Sequence, residues 1–172
     1  MFNKHFREFL EFLEKRNVKY LLVGGYAVGI HGFPRYTGDM DVFIAIGMDN
    51  AQKMVNVFAD FGFGDLGLKR ETFLQPEKII EVGREPMKIQ VLTGIDGVTF
   101  DQCYASRTYF QEGTLRIPVI GYEELIQNKL ATPRGKDKID VEELRKVKDG
   151  AKKSKASPPK LRRPKAPSSK RK

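Results

Sequence analysis

From Asn3 to Arg16 the apolar residues Phe6, Phe9, Leu10 and Leu13 recur at helical spacing, with Lys and Glu over much of the rest. This predicts an amphipathic helix ending near Arg16-Asn17. Val18–Val23 is a largely apolar run, the pattern of a buried strand, and Gly24-Gly25 breaks it. A short helix is expected over Tyr26–His31, then a loop over Gly32–Gly38, which is rich in turn formers. Asp39–Ile46 alternates before turning fully apolar, as a strand entering a core does. Met48–Phe61 reads as a helix stopped at Gly62. Residues 64–76 carry no clear period. Lys78–Val82 and Met87–Leu92 predict a hairpin, Thr99–Ala105 a short helix, and Arg107–Phe110 with Thr114–Ile120 a second strand pair. Tyr122–Ala131 and Lys138–Lys148 read as helices separated by Thr132-Pro133-Arg134-Gly135. Helices mixed with hairpins point to an α/β or α+β fold, a mixed sheet flanked by helices.

Composition changes this picture at one place. The 172 residues carry 31 Lys+Arg against 22 Asp+Glu, a net charge of +9. Ten of the basic residues and no acidic one lie beyond Gly150, so residues 1–150 are near neutral, at −1. The same segment holds four of the nine prolines and one large apolar residue, Leu161. It cannot bury enough apolar surface to offset its ordering entropy, so a disordered basic tail is expected. Basic tails suit polyanions, which makes RNA or DNA a candidate partner for that segment alone. The single cysteine, Cys103, excludes an internal disulfide and a cysteine-cluster metal site. No apolar run approaches the roughly 20 residues of a membrane span, and the first residues show no signal-peptide pattern. No membrane partner is expected, and the cytoplasm is the default compartment.

The chemistry-bearing stretch is Leu22-Val-Gly24-Gly25-Tyr-Ala-Val, then Arg35-Tyr-Thr37-Gly-Asp39-Met-Asp41-Val-Phe-Ile. Two glycines after a strand let backbone approach an anion, and a following helix start offers free N–H groups. Asp39 and Asp41 sit two apart on an expected strand, so both side chains face one side. Together they can hold one or two Mg²⁺ against a triphosphate. His31 reads as a packing or capping residue, His5 as solvated, and Cys103 as a small core residue.

These motifs resemble those of the DNA polymerase beta-like nucleotidyltransferase superfamily: Val23-Gly24-Gly25, thirteen residues, then Asp39-Met40-Asp41-Val42. The Gly-Gly-Tyr-Ala-Val phrase, Arg35-x-Thr37-x-Asp39-x-Asp41, and the stretch from Gly121 through Lys129, Arg134, Lys136 and Asp137 to Asp140 are similar to small bacterial nucleotidyltransferases of the abortive-infection toxin type. The resemblance implies a nucleotidyltransferase-like domain over residues 1–148, with the tail at 149–172 outside it. It implies that Gly24 and Gly25 cradle nucleoside triphosphate phosphates and that Asp39 and Asp41, the catalytic pair, bind Mg²⁺ or Mn²⁺. It places Lys129 against phosphate, and gives Arg35 and Thr37 the task of positioning the triphosphate or ordering the loop. Arg134, Lys136, Asp137 and Asp140 either add polar contacts or hold the last two helices together. The implied reaction is transfer of a nucleoside monophosphate to an acceptor hydroxyl on RNA, protein or a small molecule, with pyrophosphate released.

One departure is chemically serious. The family's third carboxylate falls on Met87-Lys-Ile-Gln90-Val-Leu, where Gln90 stands instead of an acid. An amide offers a carbonyl oxygen but neither charge nor basicity. Glu81 or Asp96 could approach from neighbouring segments, although spacing alone does not place either. The alternative function is a catalytically degenerate nucleotide-binding or interaction module, one half of a toxin–antitoxin or phage-defence pair, with a cognate toxin or antitoxin as partner.

Overall fold

The computed structural model describes residues 1–156 except Glu85 and Pro133. Helix α1 (Lys4–Lys15) is capped by Asn3, whose side chain accepts from the Phe6 N–H, and it buries Phe6, Phe9, Leu10 and Leu13 as the periodicity predicts. Strand β1 (Tyr20–Val23) is buried throughout, and α2 (Gly24–Ile30) starts directly from its last residue. Strand β2 (Asp39–Ile44) leads into α3 (Met48–Phe58). Gly62 has φ +93°, and the chain leaves α3 through a kinked wide turn over Ala59–Phe63. The stretch without a clear period holds a short helix, α4 (Arg70–Leu74), which buries Phe73.

The hairpin β3 (Ile79–Val82) and β4 (Lys88–Leu92) follows, then α5 (Phe100–Ala105), capped by Thr99. A second hairpin, β5 (Thr108–Glu112) and β6 (Leu115–Val119), precedes α6 (Tyr122–Ala131) and α7 (Gly135–Ala156). The six strands form one mixed sheet in the order β3-β4-β2-β1-β6-β5, with β1–β6 and β2–β4 parallel. One face of β2 buries Met40, Val42 and Ile44. On the other, Phe43 packs edge-on against Phe100 of α5, their ring centroids 5.1 Å apart. Phe9 of α1 meets Phe58 of α3 at 5.8 Å, so aromatic contacts join helices as well as strands. The expected α/β architecture, a mixed sheet flanked by helices, is therefore the one observed.

Helix α7 corrects the sequence reading at its C-terminal side. It continues past Lys148 to Ala156, so residues 149–156, assigned above to the disordered tail, are helical. Strong helix formers surround Gly150, whose cost of about 1 kcal/mol is too small to end such a run, and the first proline comes only at Pro158. The expectation of disorder beyond Ala156 lies outside the described residues. Among the described residues, no helix is long and apolar enough to cross a membrane.

Candidate active site

The end of β1 delivers Gly24 and Gly25 beside the start of β2, because Val23 pairs with Asp41 in the antiparallel register. Gly24 has φ +64°, and a Cβ there would lie 1.9 Å from Asp41 Oδ2. The glycine is thus required twice, by its left-handed backbone and by the carboxylate lying over it. A Cβ on Gly25 would lie 2.6 Å from Thr37 Oγ1, and that hydroxyl donates to the Asp39 carbonyl at 3.2 Å. Thr37 therefore ties the loop to the strand that carries the aspartates. The Gly24→Ala protein is expected to lose about 1–2 kcal/mol from the backbone alone, and to displace Asp41 as well. Gly47→Ala is the control, since Gly47 is extended at φ 172° and faces open space. Comparing their chemical denaturation with the parent's checks this, with a loss expected only for Gly24→Ala.

Asp39 and Asp41 face the same side of β2, in a cleft of about 590 Å³ that Gly24, Gly25, Arg35, Thr37, Gln90 and Lys129 also line. Burial pushes the Asp41 carboxyl up to about 6, and the Asp39 charge adds to that, against the opposing pull of Lys129, Lys136 and Arg134. Asp39 Oδ1 is buried with no hydrogen-bond partner among the described residues. Two crowded carboxylates with an unpartnered buried oxygen fit a divalent cation such as Mg²⁺. They do not make a closed all-protein cage. Among the described residues, no three His, Cys, Asp or Glu side chains gather as metal ligands.

The parallel β2–β4 register sets Gln90 opposite Asp41 and Lys88 opposite Asp39, and the antiparallel β3–β4 register sets Glu81 opposite Gln90. Glu81 is thus one strand beyond the position of the missing acid, a placement that spacing alone could not supply. Gln90 Nε2 donates to Glu81 Oε1 at 2.5 Å. A carboxylate only accepts, so this bond fixes the amide and leaves its carbonyl oxygen as the free group. The Gln90 bond, with help from Lys88, holds the Glu81 carboxyl below the usual range. The Lys88 ammonium lies 3.4 Å from both Asp39 Oδ2 and Glu81 Oε1. Sequence reasoning missed Lys88. The signal was available, because it stands two before Gln90 on the same strand and so shares its face.

The cations divide into two groups. Arg35 makes a two-pronged bond to Asp140, at 2.6 and 2.8 Å, and also donates to the Tyr36 carbonyl. Lys129 Nζ lies 2.5 Å from Asp137 Oδ1 and 3.1 Å from Asp140 Oδ2. All four side chains line or support the cleft wall, and Lys129, Asp137 and Asp140 are buried. Their first task is to fasten the Arg35 loop and α6 to the start of α7. Of the two roles open to Arg35 and to Asp140, the structure displays loop ordering and helix joining. Arg134 and Lys136 are exposed at the cleft, with Arg134 Nε 3.7 Å from Asp137 Oδ2.

Of the remaining candidates, His31, His5 and Cys103 do not join the site. His31 closes α2, with Nε2 2.7 Å from the Ile120 carbonyl and its ring edge-on to Tyr122. His5 is exposed on α1. Cys103 is a core residue, and burial pushes its thiol up to about 12, which makes it inert. Asp96 does line the cleft, and its backbone carbonyl accepts from the Asn128 side chain at 2.9 Å.

No protein-family model and no curated protein matches the sequence. Solved structures do match the fold. A Thermotoga maritima protein assigned as a nucleotidyltransferase aligns over 87% of this chain and 88% of its own, at 17% identity and a TM-score of 0.51. The lincosamide antibiotic adenylyltransferase LnuA, solved with lincomycin bound, aligns over 86% and 98%, at 16% identity and a TM-score of 0.52. An antigenic nucleotidyltransferase-like protein from Paracoccidioides brasiliensis aligns over 80% and 72%, at 15% identity and 0.52. At these identities the likeness establishes the architecture, a nucleotidyltransferase fold, and leaves chemistry to be argued from the residues.

Proposed function

We propose that the protein transfers a nucleoside monophosphate from a nucleoside triphosphate to an acceptor hydroxyl, releasing pyrophosphate. The observation that carries this reading is that Asp39 and Asp41 face one cleft, with the Asp41 carboxylate over Gly24 and with Arg134 and Lys136 on the cleft's rim. Gly24 and Gly25 line the same cleft, so a triphosphate held there would meet glycine backbone beside the two aspartates. The exposed Arg134 and Lys136 are suited to its outer phosphates, whereas Arg35 and Lys129 act mainly by holding the wall in place. Asp39 and Asp41 would hold a Mg²⁺, which supplies charge neutralisation to the phosphates when bound. Gln90 cannot accept the acceptor's proton, and the row across the sheet places it between Asp41 and Glu81, the latter one strand further out.

The likeness to an adenylyltransferase solved with an antibiotic bound supports a small-molecule hydroxyl as acceptor. The basic segment beyond Gly150 would suit a polyanionic acceptor such as RNA or DNA instead. The resemblance to abortive-infection proteins rests on the sequence phrases alone; a cognate toxin or antitoxin partner goes with the alternative reading, and the proposed cytoplasmic setting rests on the composition and the N-terminal pattern.

Gln90 favours a second reading, a module that binds nucleotide without turning it over. Incubating the full chain with α-labelled triphosphates, Mg²⁺ or Mn²⁺, and cell RNA or small hydroxylated acceptors separates the two. Label appearing in an acceptor with equimolar pyrophosphate supports transfer. Tight triphosphate binding without incorporation supports the module, and neither binding nor incorporation removes both readings.

A further inference from the structure

The Lys88 side chain lies folded along the sheet face, 21% exposed, between two carboxylates carried by different strands. A lysine on an open sheet face ordinarily extends its ammonium into water. Here it is held 3.4 Å from Asp39 Oδ2 and 3.4 Å from Glu81 Oε1. Asp39 therefore has one oxygen turned to an ammonium and the other, Oδ1, buried and without a hydrogen-bond partner among the described residues. Gln90 adds only a neutral amide at the point where a further acid would be needed, and its N–H is engaged by Glu81. A second divalent ion bridging Asp39 to the neighbouring strands would have to displace Lys88 and would find no acid at position 90.

We infer that the site is built for one divalent cation, and that the Lys88 ammonium, braced by Asp39 and Glu81, supplies the second positive charge. The inference rests on the nucleotidyl-transfer reading and deepens it. A lysine is a fixed charge with three donors, able to neutralise but unable to act as a Lewis acid. The row Asp39–Lys88–Glu81 then works as a preorganised half-site beside the metal-binding half at Asp39 Oδ1 and Asp41. Glu81 is a positioning residue here, since it holds both Lys88 and the Gln90 amide in place.

Mn²⁺ titration of the full chain tests this, with free ion followed by its electron paramagnetic resonance signal, alone and with a non-hydrolysable triphosphate analogue. The parent with analogue is expected to bind one Mn²⁺ per chain. Lys88→Met, which keeps the length and loses the charge, should bind Mn²⁺ about tenfold more tightly without nucleotide, because a competing cation is gone from Asp39. Lys88→Arg, which keeps a cation, should match the parent, and thermal melts of both variants report that the fold is retained. Two Mn²⁺ per chain in the parent, or a Lys88→Met affinity within twofold of the parent's, would overturn the one-ion account and leave nucleotidyl transfer standing. A parent that binds neither Mn²⁺ nor the analogue would overturn both.

Discussion

Asp41→Asn is expected to lower nucleotidyl transfer by about 10³-fold or more, while raising rather than lowering the melting temperature in metal-free buffer. The activity loss follows from removing one of the two carboxylates that face the cleft, in a site where electrostatic stabilisation is the largest single contribution to rate. The stability gain follows from a sign argument. The folded protein holds the Asp41 carboxyl at about 6, above its ordinary value of 3.8, through burial and the neighbouring Asp39. Between those values the folded state binds more protons than the unfolded one, so stability falls as pH rises through the window. Asparagine removes that penalty, and a rise of a few degrees is expected at pH 7 and none near pH 3.5. Steady-state transfer assays and scanning calorimetry at the two pH values check the pair of effects. A merely structural aspartate would instead lose stability along with activity.

The second large effect concerns Asp140. It is fully buried and accepts from both Arg35 and Lys129, so Asp140→Asn leaves two cations facing an amide in the wall of the cleft. Breaking one partner out of a buried ion network costs about 3–5 kcal/mol, which for a chain of this size lowers the melting temperature by roughly 10 °C. The network has a pH signature of the opposite sign to that of Asp41. Burial alone would raise the Asp140 carboxyl, but the hydrogen bonds from Arg35 and Lys129 outweigh it and hold the group below 3.8. Its contribution is complete above that value and is lost as pH falls through the depressed folded value. Acid denaturation of the parent should therefore include a component that Asp140→Asn lacks. Denaturant titrations at pH 7 and across the acid range measure both.

These two residues also mark what the sequence disclosed and what it withheld. Helix α1, strand β2 and the glycine pair were legible because local patterns specify them: a four-residue apolar stripe, an alternating strand, a left-handed glycine after a buried run. Asp39 and Asp41 were legible for the same reason, since two-residue spacing on a strand decides which face they share. Register carried the rest of the site. Glu81 meets Gln90, and Lys88 meets Asp39, only through strand pairings that no local window contains. The Arg35–Asp140 bond joins positions 105 apart, so the loop's anchor was invisible while its residues were in plain view. Lys129 shows the reverse case. Its place in the cleft wall was foreseen, but its ammonium is held by Asp137 and Asp140, which makes it a fastening as much as a phosphate contact. The short helix at Arg70–Leu74 escaped notice because it buries one large side chain, Phe73, too few for a period to show.

Gly24, Asp39 and Asp41 are proposed to form one nucleoside triphosphate site that depends on a divalent ion. Calorimetric titration of the full chain with a non-hydrolysable triphosphate, with and without Mg²⁺, tests it most directly when repeated on Asp41→Asn. One-to-one binding by the parent is expected, weakening at least tenfold without Mg²⁺, with that Mg²⁺ dependence lost in the variant. Binding of equal strength with and without the ion, or a variant that responds to Mg²⁺ as the parent does, would contradict it.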